Sequence, residues 1–128
     1  MIIPENLLYT KDHEWVSFDN DIATIGITDY AQSELGDIIF IEFPNVDDTF
    51  NNDDVFGTIE AVKTVADIFS PIKGKVIEIN IDLENNPGIV NKDPYGTGWI
   101  IKLDSFTEDL STFLSTKFID PAIPHIII

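Results

Sequence analysis

"GTIEAVKTVADIFSP", Gly57 to Pro71, is the stretch on which the reading of this chain turns. It is dense in Thr, Val and Ile and bounded by a glycine and a proline. That composition favours two short strands meeting near Lys63 over one helix, although Ile59, Val62, Ala66 and Phe69 also fall near helical spacing. The hairpin has an oddity at its turn: Ala61, Val62, Lys63 and Thr64 include no Gly, Pro, Asn or Asp to make a tight reversal cheap. A lysine at such a tip projects its amine into water and is aimed by strands on both sides, which suits a covalently attached carrier arm. An ordinary solvated lysine protecting a sheet edge fits the same spacing. Spacing alone leaves both readings open.

Working outward, period 2 dominates over period 3.6. "HEWVSF" and "DIATIGI" alternate around Asp19 and Asn20 and predict a first hairpin. In "TDYAQSELGD", Thr28 caps a helix of about two turns that Gly36 ends in the left-handed conformation. Strands resume with "DIIFIEF", which stops at Pro44, and continue after the turn-rich "NVDDTFNNDD" with "VFGTIEA", "VADIFSP" and "GKVIEINI". An irregular stretch from Asp82 to Thr97 precedes a last strand, "GWIIKL". The echo between "GDIIFIE" and "GKVIEIN" is what a sandwich of two similar halves would produce. The expected fold is therefore mainly β: a flattened, barrel-like sandwich of two small antiparallel sheets with short peripheral helices. "DSFTEDLSTFLSTKF" predicts a C-terminal helix over about 107–116, with Phe106, Leu110, Phe113 and Leu114 on one stripe. The tail, 117–128, either packs back or frays. The whole, 1–128, reads as one domain with a core of about 8–103.

Composition removes several function classes. Seven lysines and no arginine face 23 Asp and Glu, a formal net charge of −16, so nucleic-acid binding is not expected. There is no cysteine, hence no disulfide framework, thiolate metal site or cysteine nucleophile. The start lacks a basic region followed by an apolar run, and no segment approaches the roughly 20 apolar residues of a membrane span. A cytoplasmic chain without membrane association is expected. His13 and His125 are the only histidines, too few for a multi-histidine metal site or triad, and His13 reads as a surface residue beside a core tryptophan. The acidic loop lacks the ligand spacing of a calcium site, and Gly96 and Gly98 do not open a helix as a phosphate cradle would. No catalytic residues and no metal site are expected.

Four colinear blocks give the chain a further reading: "YTKDHEWV", "IGITDYAQSELGDIIFIEFP", "FGTIEAVKTVADIFSPIKGKVIEIN" and "NPGIVNKDPYGTGWIIK". Over nearly all of Leu8 to Leu103 they resemble the H proteins of glycine cleavage systems, lipoyl carriers of the biotinyl/lipoyl domain class. The resemblance implies that Lys63 is the lipoyl attachment site. It also implies that Glu60, Val62 and Asp67 form the setting read by a lipoate ligase or lipoyltransferase, and that Glu14 and Asp67 line a cleft for the aminomethyl-loaded arm. The implied partners are a decarboxylating, pyridoxal-phosphate glycine dehydrogenase, a tetrahydrofolate-dependent aminomethyltransferase and dihydrolipoamide dehydrogenase. An H-like relay of lipoyl groups to other acceptor proteins would keep Lys63 without needing the cleft. An unmodified interaction module would need neither. Two departures stand out. Asp47 and Asp53 replace turn glycines usual in the family, and aspartate tolerates the left-handed conformation such turns need. The tail after about Lys117 also diverges.

Overall fold

The alternating stretches become strands in the computed structural model, which describes residues 2–104 and the backbone of 119–120 and 123–126. A two-residue strand, β1 (Leu8–Tyr9), leads into β2 (Glu14–Asp19) and β3 (Ile22–Ile27), whose register closes with Asp19 opposite Ile22. The reversal thus falls on Asn20 and Asp21, one residue later than the alternation predicts, with Asn20 at φ 56°. α1 (Asp29–Leu35) begins as expected: the Ala31 N–H donates to Thr28 Oγ1 at 3.1 Å, satisfying one of the free donors of the first turn. Gly36 ends it at φ 78° and ψ −157°. That is an extended, positive-φ conformation reserved for glycine rather than the left-handed cap expected.

Six more strands follow: β4 (Ile38–Glu42), β5 (Thr49–Phe50), β6 (Val55–Ala61), β7 (Val65–Phe69), β8 (Gly74–Ile79) and β9 (Ile101–Asp104). The stretch from Asp82 to Thr97, expected to be irregular, holds two single-turn helices, α2 (Asp82–Asn85) and α3 (Ile89–Lys92). Each is too short to show a period, and each buries one side chain, Leu83 or Val90, against the core. The strands form two antiparallel sheets, β1-β2-β3-β9-β8-β5 and β4-β6-β7. "GDIIFIE" and "GKVIEIN" thus fall in opposite sheets, with β4 at the edge of the smaller and β8 inside the larger. Ile25, Ile101 and Leu103 from the larger sheet and Ile41 and Ile59 from the smaller join one core cluster. The expected helix over 107–116 lies outside the described residues. In the tail, β10 (Ile119–Asp120) pairs with β11 (Ile123–Ile126) as a separate antiparallel ladder. Among the described residues no helix is long and apolar enough to cross a membrane.

Trp15 anchors a second, smaller cluster with Leu7 and Tyr9. Its indole N–H donates to the Pro94 carbonyl at 2.9 Å, and its ring lies across Gly26, its register partner. A Cβ on residue 26 would come within 2.6 Å of that ring, so the close approach requires glycine.

The acidic loop is two turns built alike. In Asn45–Asp48 and Asn51–Asp54, the fourth residue's N–H donates to the first residue's carbonyl at 3.1 Å, and its carboxylate accepts the first residue's N–H at 3.0 and 2.8 Å. Asp47 and Asp53 stand third, at φ 78° and 70°, so both departures from the family's glycines adopt the conformation that glycine would make free. Their N–H groups donate to Val76 and Ser70 at 2.8 Å, tying each turn to a neighbouring strand segment. The left-handed cost of about 1 to 2 kcal/mol outweighs glycine's entropic cost of about 0.5 to 1 kcal/mol. Asp53→Gly should therefore raise stability by about 0.5 kcal/mol in urea denaturation; a loss would show that the carboxylate matters beyond the backbone.

Candidate functional site

The turn between β6 and β7 is closed by Glu60 opposite Val65 and by the Ala61 N–H donating to the Thr64 carbonyl at 2.8 Å. Neither Val62 nor Lys63 has positive φ, which is why the reversal needs no Gly or Asn. It is held from outside as well. The Val62 N–H donates to the Asp37 carbonyl at 3.0 Å, and the Asp37 segment is fastened by Asn91, whose Oδ1 accepts the Ile38 N–H at 3.0 Å and whose Nδ2 donates to the Gly36 carbonyl at 2.8 Å. A tertiary clamp running from α3 through the start of β4 thus replaces the missing turn formers. Lys63 is exposed at the tip, Val62 beside it is 68% exposed, and Glu60 is exposed on β6. The described ion pairs use Lys75 and Lys102, leaving the Lys63 amine presented to solvent.

Four residues after Lys63, on β7, Asp67 reaches the rim of a groove of about 210 Å³. Its walls come from the start of β2, the end of β3, α1 and β7, and Ile27, Leu35, Ile59, Ala66 and Ile68 make it largely apolar. Glu14 lines it too, at 2% exposure. The structure thus brings Glu14 and Asp67 to one groove and sets Glu60, Val62 and Lys63 apart at the tip.

Glu14 is held tightly. The Thr10 hydroxyl donates to its Oε1 at 2.5 Å, and the Phe69 N–H donates to its Oε2 at 3.3 Å. Burial pushes its carboxyl up to about 7, the Asp12 and Asp53 carboxylates push the same way, and the Thr10 and Phe69 hydrogen bonds oppose them. A buried carboxylate whose charged neighbours are themselves acidic, in an apolar groove, has two comfortable states: protonated, or paired with a cation that enters. Thr10→Val removes a bond that favours the charged form. The Glu14 midpoint should then move above about 7 in a carboxyl ¹³C NMR titration; an unmoved midpoint would mean that Thr10 does not set its charge.

Thr10, His13, Tyr30 and Glu34 were not anticipated as parts of the site. Thr10 and Glu14 are four apart because the chain turns tightly between them: Thr10 Oγ1 also accepts the Asp12 and Glu14 N–H groups at 3.3 Å, and His13 sits at φ 66°. His13 is not the plain surface residue expected. It is half-buried, lines the groove and lies 4.7 Å, ring centroid to ring centroid, from Tyr30 on α1, whose hydroxyl donates to Glu34 Oε1 at 2.9 Å. The helix that carries Tyr30 covers the groove only through folding, so nothing local in the sequence marks these contacts.

A model of the family described as "Glycine cleavage H-protein" matches residues 7–119. The chain belongs to the glycine cleavage H-protein family. Among curated members of that family, it is 53% identical over 114 residues to the "Glycine cleavage system H protein" of Bacteroides thetaiotaomicron, covering 86% of this chain and 90% of that one. It is 50% identical over 104 residues to the protein of the same name from Staphylococcus epidermidis, covering 81% and 82%. A crystal structure of a glycine cleavage system H protein from Mycobacterium marinum superposes with a TM-score of 0.78 at 33% identity, covering 80% of this chain and 86% of that one. The mainly β fold of two antiparallel sheets is thus an H-protein fold.

Proposed function

We propose that the chain is the lipoyl carrier of a glycine cleavage system, with lipoate joined as an amide to Lys63. The observation that carries this reading is the Lys63 amine at the tip of a clamped hairpin, in a chain whose H-protein family match spans residues 7–119. The groove supports it: apolar walls suit a hydrocarbon arm, and the buried Glu14 with Asp67 at the rim suits a cationic load. The lipoyl group would supply the disulfide that takes up the aminomethyl unit of glycine and later passes it on.

The chain's own residues do the rest. The clamped turn aims the arm and confines it near each partner, raising its effective concentration. Glu60, Val62 and Asp67 are the setting that a lipoate ligase or lipoyltransferase reads. Glu14, once ionised, holds an ammonium in a partly dry groove, where the attraction exceeds its value in water, while Ile59, Ile68 and Leu35 exclude solvent. Bond-making belongs to the partners: the pyridoxal-phosphate glycine dehydrogenase, the tetrahydrofolate-dependent aminomethyltransferase and dihydrolipoamide dehydrogenase. The chain is a carrier rather than an enzyme, placed with those partners in the cytoplasm. Reconstituted exchange between glycine and bicarbonate tests this: the lipoylated chain with a competent decarboxylase should support exchange. A lipoylated chain that supports none would argue for relay of lipoyl groups instead.

A further inference from the structure

Among the described residues the outer side of the β4-β6-β7 sheet is left open, and its composition is unusual for a surface so acidic. Cross-strand pairing sets Phe40, Glu60 and Val65 in one row and Glu42, Thr58 and Asp67 in the next, and paired residues share a face. The row Ile41, Ile59 and Ala66 faces the other way, with Ile41 and Ile59 in the core. A register shift between Ile38 and Phe40 breaks the alternation, so Ile39 and Phe40 are exposed in succession, at 53% and 52%. Such a bulge re-aims a side chain. With Val62 at 68% and Val65 at 62%, four large apolar side chains crowd the end of the sheet that carries Lys63. Glu42, Glu60, Asp67 and Asp37 surround them, and Lys63 is the only lysine between Lys11 and Lys73.

We propose that this face is a docking surface for an arm-using enzyme whose own contact region is an apolar recess ringed by lysine and arginine. The inference rests on the carrier reading above. Apolar side chains at the centre and charges at the edge are the anatomy of a protein interface, and the sign of the rim names the partner's charge. A second copy of this chain would set two acidic rims against each other, and nucleic acid or an anionic membrane would meet the same repulsion. Lys63 gives the surface a further property. Acylation turns its ammonium into a neutral amide, so the face becomes wholly anionic when the arm is present. A basic-rimmed enzyme therefore meets a more complementary surface on the acylated chain than on the unmodified one.

The test is titration of the ¹⁵N-labelled full chain with the decarboxylating glycine dehydrogenase. Amide broadening should concentrate at 39–42, 58–60 and 62–67 and spare Ile77 and Ile81, which are exposed on and beside β8. The double variant Phe40→Ser/Val65→Ser, still folded by thermal melt, should weaken Kd by about tenfold, and Glu42→Gln should flatten its salt dependence. Lys63→Gln, which removes the ammonium without an arm, should tighten binding by roughly twofold at low salt. Ile81→Ser should change nothing. Broadening elsewhere, unchanged affinity in the double variant, an equal loss in Ile81→Ser, or dimerisation through this face in sedimentation would each overturn the proposal. Glycine and bicarbonate exchange by the lipoylated wild type separates the two failures. Exchange present with unaltered variant affinity removes the docking surface alone, whereas exchange absent removes the carrier reading.

Discussion

Lys63→Arg is expected to fold with unchanged stability, take up no lipoyl group and support no glycine and bicarbonate exchange. Folding is unaffected because Lys63 is exposed and the described ion pairs use other lysines; exposed substitutions of this kind stay within about 0.5 kcal/mol. The turn is held by backbone bonds, Ala61 N–H to the Thr64 carbonyl and Val62 N–H to the Asp37 carbonyl, and arginine leaves both in place. Function goes to zero because a guanidinium keeps its proton and offers no free amine to an activated acyl group. Charge is conserved, so the variant separates attachment from electrostatics. Urea denaturation, intact mass and exchange, read together, check it. Exchange retained by the variant would mean that Lys63 does not carry the arm.

The second large effect is in the pH dependence of stability. Glu14 has its carboxyl raised from 4.5 to about 7 by burial, with Asp12 and Asp53 adding to the shift. An acid with a higher pKa folded than unfolded binds more protons in the folded state between those values, so its contribution favours the fold below the lower value and is lost as pH rises through the higher one. For this shift the loss is about 3 kcal/mol. Glu14→Gln keeps the side chain's size and cannot ionise. Between pH 5 and pH 8.5 the wild type should therefore lose about 2.5 kcal/mol relative to Glu14→Gln, the remainder having gone below pH 5. The neighbouring Asp12, His13, Glu34, Asp53 and Asp67 are common to both chains, so their own titration cancels in the difference to the extent that it is independent of Glu14. Paired urea curves at the two pH values measure it, and a difference that does not change with pH would show Glu14 to be ionised throughout. The consequence proposed for the groove has the opposite sign. Above about 7 Glu14 offers a carboxylate that would hold an ammonium, and below it Glu14 is an uncharged acid.

How much of this was legible depended on whether the signal was local. The hairpin of Glu14–Asp19 and Ile22–Ile27, the Thr28 cap and the strands on either side of Lys63 were written in alternation and capping, and they appear there with the first reversal displaced by one residue. Aspartates at 47 and 53 pointed to left-handed turns, which both residues adopt. The two-residue strands β1 and β5 and the one-turn helices α2 and α3 are shorter than any period can reveal. The clamp on the Lys63 turn was invisible because it is tertiary: Asn91 fastens the segment that receives the Val62 N–H. The groove was only half legible. Glu14 and Asp67 came from family resemblance, whereas Glu14's burial, its Thr10 partner and the His13–Tyr30 wall arise when α1 lies across the start of β2.

Acylation of Lys63 is read by intact mass with peptide mapping after the full chain is treated with a lipoate ligase, ATP and lipoate. The chain should gain one lipoyl amide, located on Lys63 in the Gly57–Pro71 hairpin and absent from the other six lysines. An unmodified chain under conditions in which the ligase acylates a known acceptor, or a lipoyl group found on another lysine, would contradict it.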